Sequence, residues 1–280
     1  MNSPESGIGN SEFGNASSAV RHSSFIIHHS SIVLLLDPPA AGAWNMAVDE
    51  ALLEAAAEGQ GTLRFYRWSE PTLSLGYFQQ YPDRWQHEPS RQCAVVRRPS
   101  GGGAILHDIE LTYSLAIPAT HPLAADRLGC YRAMHAALVE ALADWGVQAV
   151  VLQQADKELH HRQPFLCFQR RAPGDVLVDG VKIAGSAQRR CRGAVLQHGS
   201  VLLGQSAAAP ELPGLADLSG KQVDHRQLLD AWLQRLALAA PLGWQIGVLP
   251  ADRRSRAAEL VDIKYGGAAW TENRGRSGTF

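Results

Sequence analysis

The chain has 280 residues, 45% hydrophobic and 19% charged, the composition of an ordinary water-soluble globular protein with room for one large domain or two small ones. A net charge of −1, from 26 basic and 27 acidic residues, argues against a protein built around nucleic acid or an anionic lipid surface. The four cysteines, at 93, 130, 167 and 191, are too widely spaced for a zinc knuckle or a CxxC redox pair and too few for a disulfide framework, so no metal is expected and a reducing cytoplasm is the default.

Residues 1–31 are rich in Ser, Asn and Gly and lack periodicity, as in a disordered extension or an over-extended translation start. The apolar run from Ile32 to Leu36 is too short for a signal-peptide core, and no segment approaches the ~20 apolar residues of a membrane span. That run, closed by Asp37-Pro38-Pro39, reads instead as a first strand. NMAVDEALLEAAAEG, ending at Gly59, predicts a helix. TLRFYRW and PTLSLGYF read as two strands joined by a Ser-Glu-Pro turn, and CAVVRR as another that feeds into Gly101-Gly102-Gly103. AILHD and LTYSLAI continue the strand pattern up to Pro118.

From Ala124 to Trp145 the apolar residues fall at helical spacing. VQAVVL and PFLCF are expected strands, and DVLVDGVKIAGSAQRR holds the hairpin signal Asp179-Gly180. A two-residue turn there pairs Val178 with Val181, Leu177 with Lys182 and Val176 with Ile183, which sets the four β-branched residues on a core face and Lys182 on the opposite one. AVLQHGSVLL is expected to close the sheet, and helices are predicted near Arg226–Ala239 and Ala251–Lys264. The whole is an α+β fold of mixed sheets with flanking helices: residues 1–31 an extension, 32–270 one catalytic domain and 271–280 a frayed tail. Nothing in the sequence calls for an oligomer, and a monomer is expected.

The glycine run in RRPSGGGAILHD is the candidate site. It lacks the Lys-Ser or Lys-Thr of a nucleotide P-loop, and Leu106 stands where the dinucleotide fingerprint needs its third glycine. What remains is bare backbone flanked by Arg98, Ser100, His107 and Asp108, suited either to a ligand lying against the main chain or to a bulged turn.

RRPSGGGAILHDIELTYS resembles the signature of the lipoate–protein ligase A and octanoyltransferase family. NMAVDEALL, LRFYRW, LSLGYFQ and KIAGSAQRR resemble that family's other blocks in the same order, over residues 32 to 270. The resemblance implies the fold of the biotin and lipoate protein ligase catalytic domain, with the glycine loop lining a channel for a medium-chain acyl or lipoyl group. The substrate-binding residues it implies are Gly76, Arg98, Ser100, Gly101, Gly102, Gly103, His107, Gly185, Ser186 and Ala187. Arg98 is expected either to position the loop or to contact the carrier's phosphopantetheine.

Two chemistries exist within that family. A ligase must activate a free carboxylate with ATP, whereas a transferase starts from a thioester already activated on acyl carrier protein and needs a nucleophile, not a cofactor. Cys167, fifteen residues before Lys182, stands where the cysteine-dependent octanoyltransferases carry theirs. The resemblance places Lys182 at the acyl carbonyl, where a cation would favour a thiolate and polarise the thioester oxygen. Without it, Cys167 would read as a small buried hydrophobe and Lys182 as a solvated hairpin residue. Cys93, Cys130 and Cys191 are expected to be structural and His160-His161 a solvated loop; His107 could shuttle a proton or be structural, His198 is similarly placed, and neither is taken as a catalytic base. Arg170-Arg171 and Arg189-Arg190 could attract an acidic carrier. Where the family often has an aromatic–acid pair this chain has Gly174-Asp175, so the local pocket wall is expected to differ.

The expected activity is octanoyl transfer from acyl carrier protein through Cys167 to the target lysine of a lipoyl domain or of glycine-cleavage H protein. The alternatives are an ATP-dependent lipoate ligase, an amidotransferase moving octanoyl between lipoyl domains, and a non-catalytic acyl-binding protein.

Overall fold

Asp179 and Gly180 both adopt left-handed backbone, with φ of 49° and 75°, the pair of positive angles that lets a two-residue turn match the twist of its flanking strands. The hairpin they make joins β8 (Val176–Val178) to β9 (Val181–Cys191). It belongs to a computed structural model that describes residues 32–154, 164–239 and 242–275. The expected extension, the His160-His161 loop and the last residues of the expected tail lie outside the described residues.

Two sheets organise the chain. The larger has eight strands in the order β11-β1-β2-β6-β10-β9-β8-β7. Besides the hairpin it contains β1 (Ile32–Leu36), β2 (Thr62–Tyr66), β6 (Glu110–Pro118), β7 (Ala149–Val151), β10 (Ala194–Leu202) and β11 (Trp244–Gly247). β1 is parallel to β2 and β11, and the other pairings are antiparallel, so the sheet is mixed as expected. β10 does not close this sheet, as the sequence reading expected, but lies between β6 and β9. Its nine residues are all buried, which suits a central strand better than an edge.

Residues alternate across the sheet. Leu63, Phe65, Leu111, Tyr113, Leu115 and Val195 face one core, covered by α2 (Gly129–Asp144) and α4 (His225–Ala239). Tyr66, Ala116 and Leu196 face the other, covered by α1 (Gly42–Ala57) and α5 (Ala251–Leu260). α1 starts slightly before the predicted stretch and ends as predicted, with Gly59 left-handed just beyond its last turn. α2 begins five residues later than expected, because Pro122–Ala124 form a separate 3-10 turn. α5 runs on into a π-helical turn, Val261–Tyr265. Two short helices, α3 (Leu215–Ser219) and α6 (Ala268–Asn273), and strand β11 had no sequence signal strong enough to be predicted.

The smaller sheet has three strands in the order β4-β3-β5: β3 (Thr72–Leu75), β4 (Ala94–Arg97) and β5 (Ile105–His107). The glycine run joins β4 to β5 at the edge of this sheet. No helix among the described residues is long and apolar enough to cross a membrane.

Candidate active site

The glycine loop is held from inside by Arg98, which is 2% exposed. Its Nη1 donates to Ser74 O at 2.8 Å, and its Nη2 donates to Gly101 O at 2.8 Å and to Gly103 O at 2.6 Å. Burial pulls its pKa down to about 10, although the nearby Cys167 opposes the shift. Of the two expectations for Arg98, positioning the loop is the one this geometry matches. The neighbouring Arg97 gathers the turn after β3, donating from Nη1 to Gly76 O at 2.9 Å and Gln79 O at 2.7 Å. Its Nε donates to Thr271 O at 2.9 Å, while Trp270 Nε1 donates back to Arg97 O at 2.8 Å.

The glycines serve different ends. Gly102 has φ of +97°, and a Cβ there would lie 2.9 Å from Arg98 Nη2 and 3.9 Å from Cys167 Sγ. A Cβ on Gly76 would fall 2.1 Å from Gly102 O, and one on Gly103 would come within 3.0 Å of the Arg170 guanidinium and of Phe165 O. Gly101 and Gly102 therefore line a cavity, whereas Gly76 and Gly103 let backbone and arginine pack tightly behind it.

Cys167 is not in a strand. The expected strand over Pro164–Phe168 shrinks to a single bridge, Ala104 with Leu166, after which Cys167 opens a 3-10 turn, Cys167–Gln169. Ala104 N donates to Phe165 O at 3.0 Å and Cys167 N to Ala104 O at 2.7 Å, so the segment is zipped to the end of the glycine loop. An isolated bridge followed by a turn leaves the thiol half-buried and on the cavity wall. Cys130, by contrast, is fully buried and pushed up to about 11 by that burial, and Cys93 is also pushed up.

Lys182 comes from the hairpin. The pairings of Val178 with Val181 and Leu177 with Lys182 are as expected, but Val176 meets Ala184 rather than Ile183, through an irregularity between Val176 and Leu177. Lys182 does lie opposite the core face, yet it is only 6% exposed rather than solvated. Its Nζ stands 4.0 Å from Cys167 Sγ, donates to Asp175 Oδ2 at 2.9 Å, and lies over the Phe168 ring at 5.3 Å. Its stem occupies the space a side chain on Gly185 would need: a Cβ there would be 2.5 Å from Lys182 Cε.

The cavity, about 320 Å³, is lined by the half-buried Cys167 and by buried side chains that include Lys182, Met46, Tyr66, Trp68 and His107. The His107 ring stacks on Trp68 at 3.9 Å, and its Nδ1 is 2.7 Å from Glu110 Oε1. Its Nε2 is buried with no hydrogen-bond partner among the described residues. Both nitrogens of His198 are engaged: Nε2 with the Ser100 hydroxyl and Nδ1 with Asp49 Oδ2 at 3.3 Å. Ser100 itself does not line the cavity, although its partner His198 does. Asp49 also accepts from Arg64 at 3.0 Å, Tyr66 OH at 3.0 Å and Ser114 Oγ at 2.8 Å. Burial alone would raise its carboxyl, but the His198 hydrogen bond and Arg64 outweigh this and hold it below the ordinary value.

On the opposite wall, Ser186 Oγ is 2.7 Å from His135 Nε2 and 2.7 Å from Tyr113 OH. Burial pulls His135 down to about 4. The neutral ring donates from Nδ1 to Gly174 O, so Nε2 accepts from Ser186. Gly185, Ser186 and Ala187 all line the cavity. Arg189 is tied to Pro99 O and Arg190 to Ala124 O, each at about 3 Å, so neither side chain hangs free.

The sequence reading missed Asp49, Asp175 and His135. Asp49 and Asn45 recur one turn apart among Met46, Val48, Leu52 and Leu53, and that alone could have marked a buried polar anchor. Asp175 passed as a departure from a pattern, although an acid seven residues before a hairpin lysine lies within reach of it across the turn.

Residues 41–210 match the lipoyl protein ligase A/B catalytic domain. The chain is 41% identical over 170 residues to an octanoyltransferase LipM of Halalkalibacterium halodurans, covering 58% of this chain and 62% of that relative, under two thirds of its length. With the octanoyltransferase LipM of Kyrpidia tusciae it shares 34% identity over 267 residues, covering 85% of this chain and 97% of the relative. Among solved structures, the bi-partite lipoate protein ligase of Thermoplasma acidophilum superposes with a TM-score of 0.70 at 22% identity, over 89% of this chain and 99% of that one, a likeness of fold.

Proposed function

The chain belongs to the lipoyl protein ligase A/B catalytic-domain family, and we propose that it is an octanoyltransferase acting in protein lipoylation through a thioester on Cys167. The observation that carries this reading is the Cys167–Lys182 pair, 4.0 Å apart in the lining of a cavity walled also by Gly101 and Gly102. A ligase has no use for a thiol at this point; a transferase requires one. The relatives named octanoyltransferases support the same choice.

The donor is octanoyl-acyl carrier protein. Its chain lies in the cavity with the thioester carbonyl at the Cys167–Lys182 pair. The Cys167 sulfur, as thiolate, attacks that carbon; the carbon–sulfur bond to the carrier's pantetheine breaks, and the carrier leaves as a thiol after taking a proton. The Lys182 ammonium stabilises negative charge on the sulfur before attack and on the carbonyl oxygen during it. The ε-amine of the acceptor lysine, on a lipoyl domain or on H protein, then attacks the acyl-enzyme. An amide forms, the amine loses one proton, and Cys167 is regenerated. Exchange between thioesters is nearly isoenergetic and the amide lies downhill, so neither nucleotide nor other cofactor enters.

Intact-protein mass after mixing with octanoyl-carrier protein in the absence of ATP tests the reading. An octanoyl adduct on Cys167 that moves to a lipoyl domain supports it. ATP-dependent acyl-adenylate formation without an adduct supports the ligase instead, an adduct loaded only from an octanoylated H protein supports an amidotransferase, and binding without turnover supports a mere acyl-binding protein.

A further inference from the structure

We propose that Asp175 is the positioning residue of this site: its buried carboxylate fixes the Lys182 ammonium beside Cys167. The proposal rests on the thioester reading above and extends it to a residue that touches neither sulfur nor substrate.

Three observations converge on it. Asp175 Oδ2 accepts from Lys182 Nζ at 2.9 Å, with side-chain exposures of 7% and 5%. The same oxygen accepts from Ala172 N at 2.7 Å, so the carboxylate is itself held by the turn that precedes β8. Finally, the space beside Gly185 is filled by the pair: a Cβ there would meet Lys182 Nζ at 2.8 Å and Asp175 Oδ1 at 3.0 Å. The register irregularity next to Val176 gives β9 one residue more than β8, and this sets Asp175 against Gly185. A long, flexible lysine stem would otherwise have several rotamers open to it, and an ammonium this deeply buried without a counter-charge would lose its proton readily. The charged and titratable groups facing the pair are Cys167 from the 3-10 turn, Tyr131 and His135 from α2, and Arg98 beyond the sulfur. Among the described residues at this spot, Asp175 is the carboxylate that meets the lysine. Its own carboxyl is pushed up by burial and drawn back by Lys182, the balance of a pair whose members depend on each other.

The experiment is a double-mutant cycle on the full chain, Asp175→Asn with and without Lys182→Met. Two rates are followed against pH: octanoylation of Cys167 by octanoyl-carrier protein, and alkylation of Cys167 by iodoacetamide, which needs no acyl substrate. In the wild-type background Asp175→Asn should cut octanoylation about 10- to 10²-fold at saturating donor. It should slow alkylation near pH 8 and move the alkaline limb of the octanoylation profile about one pH unit toward neutrality, as an unpaired buried lysine loses its charge. In the Lys182→Met background the same change should cost nothing, or speed alkylation, because it now removes an uncompensated negative charge near the sulfur. Asp175→Glu should recover the pH limb better than the rate. Unchanged rates in the wild-type background would overturn the proposal, and so would an equal loss in both backgrounds, which marks a role in packing alone. If Asp175→Asn does not melt cooperatively, Asp175→Ser, which retains an acceptor for Ala172 N, takes its place in the cycle. Should the wild type itself form no octanoyl adduct, the functional reading fails, while the alkylation arm still decides the role of Asp175.

Discussion

Arg98 and Cys167 both stand over Gly102: a Cβ there would lie 2.9 Å from the guanidinium and 3.9 Å from the sulfur. Gly102→Val should therefore fail twice. The φ of +97° is one that a β-branched residue adopts only at a cost of about 1–3 kcal/mol. The branched side chain would also occupy the approach to Cys167. Octanoylation should be lost while iodoacetamide, a small reagent, still labels the cysteine. Normal octanoylation of this variant would reduce the loop to a mere turn.

Cys167→Ser keeps the size of the side chain and the 3-10 turn but exchanges a readily ionised thiol for a hydroxyl. The folded protein should melt as the wild type does and carry no acyl adduct by mass spectrometry. Turnover near the wild-type level would remove Cys167 from the reaction.

Lys182→Ala removes the cation 4.0 Å from the sulfur and leaves Asp175 buried and unpaired. Loss of one oxyanion partner costs on the order of 10²–10³ in rate, and that loss should fall on the acylation step in stopped-flow measurements. The pH–rate profile should move to higher pH, since Cys167 loses a neighbouring positive charge. An exposed lysine would give neither effect.

The sequence made this lysine easy to place and its environment hard to see. Asp179-Gly180 specified a turn with two positive φ angles, and from it the pairing of Leu177 with Lys182 followed. The slip two residues on did not, because a bulge is selected by what packs against the strand, here the lysine stem in the gap left by Gly185. PFLCF looked like a strand since an apolar run of that length satisfies strand periodicity, and only pairing with Ala104 reveals how little of it is one. β11 was invisible for a similar reason: its four residues owe their conformation to β1, more than two hundred positions earlier. The glycine motif, the cysteine and the lysine were legible as types and spacings. Asp49 and His135 were not, since their meaning lies in partners that arrive from distant strands.

Acid should expose the burial of His135. Its folded-state pKa is about 4, below the ~6.5 of an unfolded histidine. The stability tied to the neutral ring is complete above pH 6.5 and is lost as pH falls toward 4, where the unfolded chain takes up a proton that the folded one refuses. The size is roughly 3 kcal/mol across that window. Urea unfolding from pH 7.5 to 4.5 should show a shallower decline for His135→Gln than for the wild type. Parallel curves would mean that the ring is protonated in the fold without penalty.

Asp49→Asn leaves the fully buried Arg64 guanidinium with Asp37 as its remaining carboxylate and weakens the hold on His198. Breaking a buried pair costs about 3–5 kcal/mol, and the surviving Asp37 contact puts the expectation at the lower end. Chemical denaturation gives the figure, and a change below about 0.5 kcal/mol would show that Asp37 alone suffices.

Arg97 binds Thr271 O with one nitrogen and the Gly76–Gln79 turn with another. On a ribosome, therefore, Arg97 cannot complete its contacts until residue 271 has left the exit tunnel, long after β3, β4 and β5 have been made. An emerging chain can assemble β3, β4 and β5, with the Gly76–Gln79 turn tied to Arg97 and Ser100, while the far side of the Arg97 guanidinium still waits for its carbonyl. The last contact of this arginine is thus a late event of synthesis, made by a residue 174 positions further along the chain.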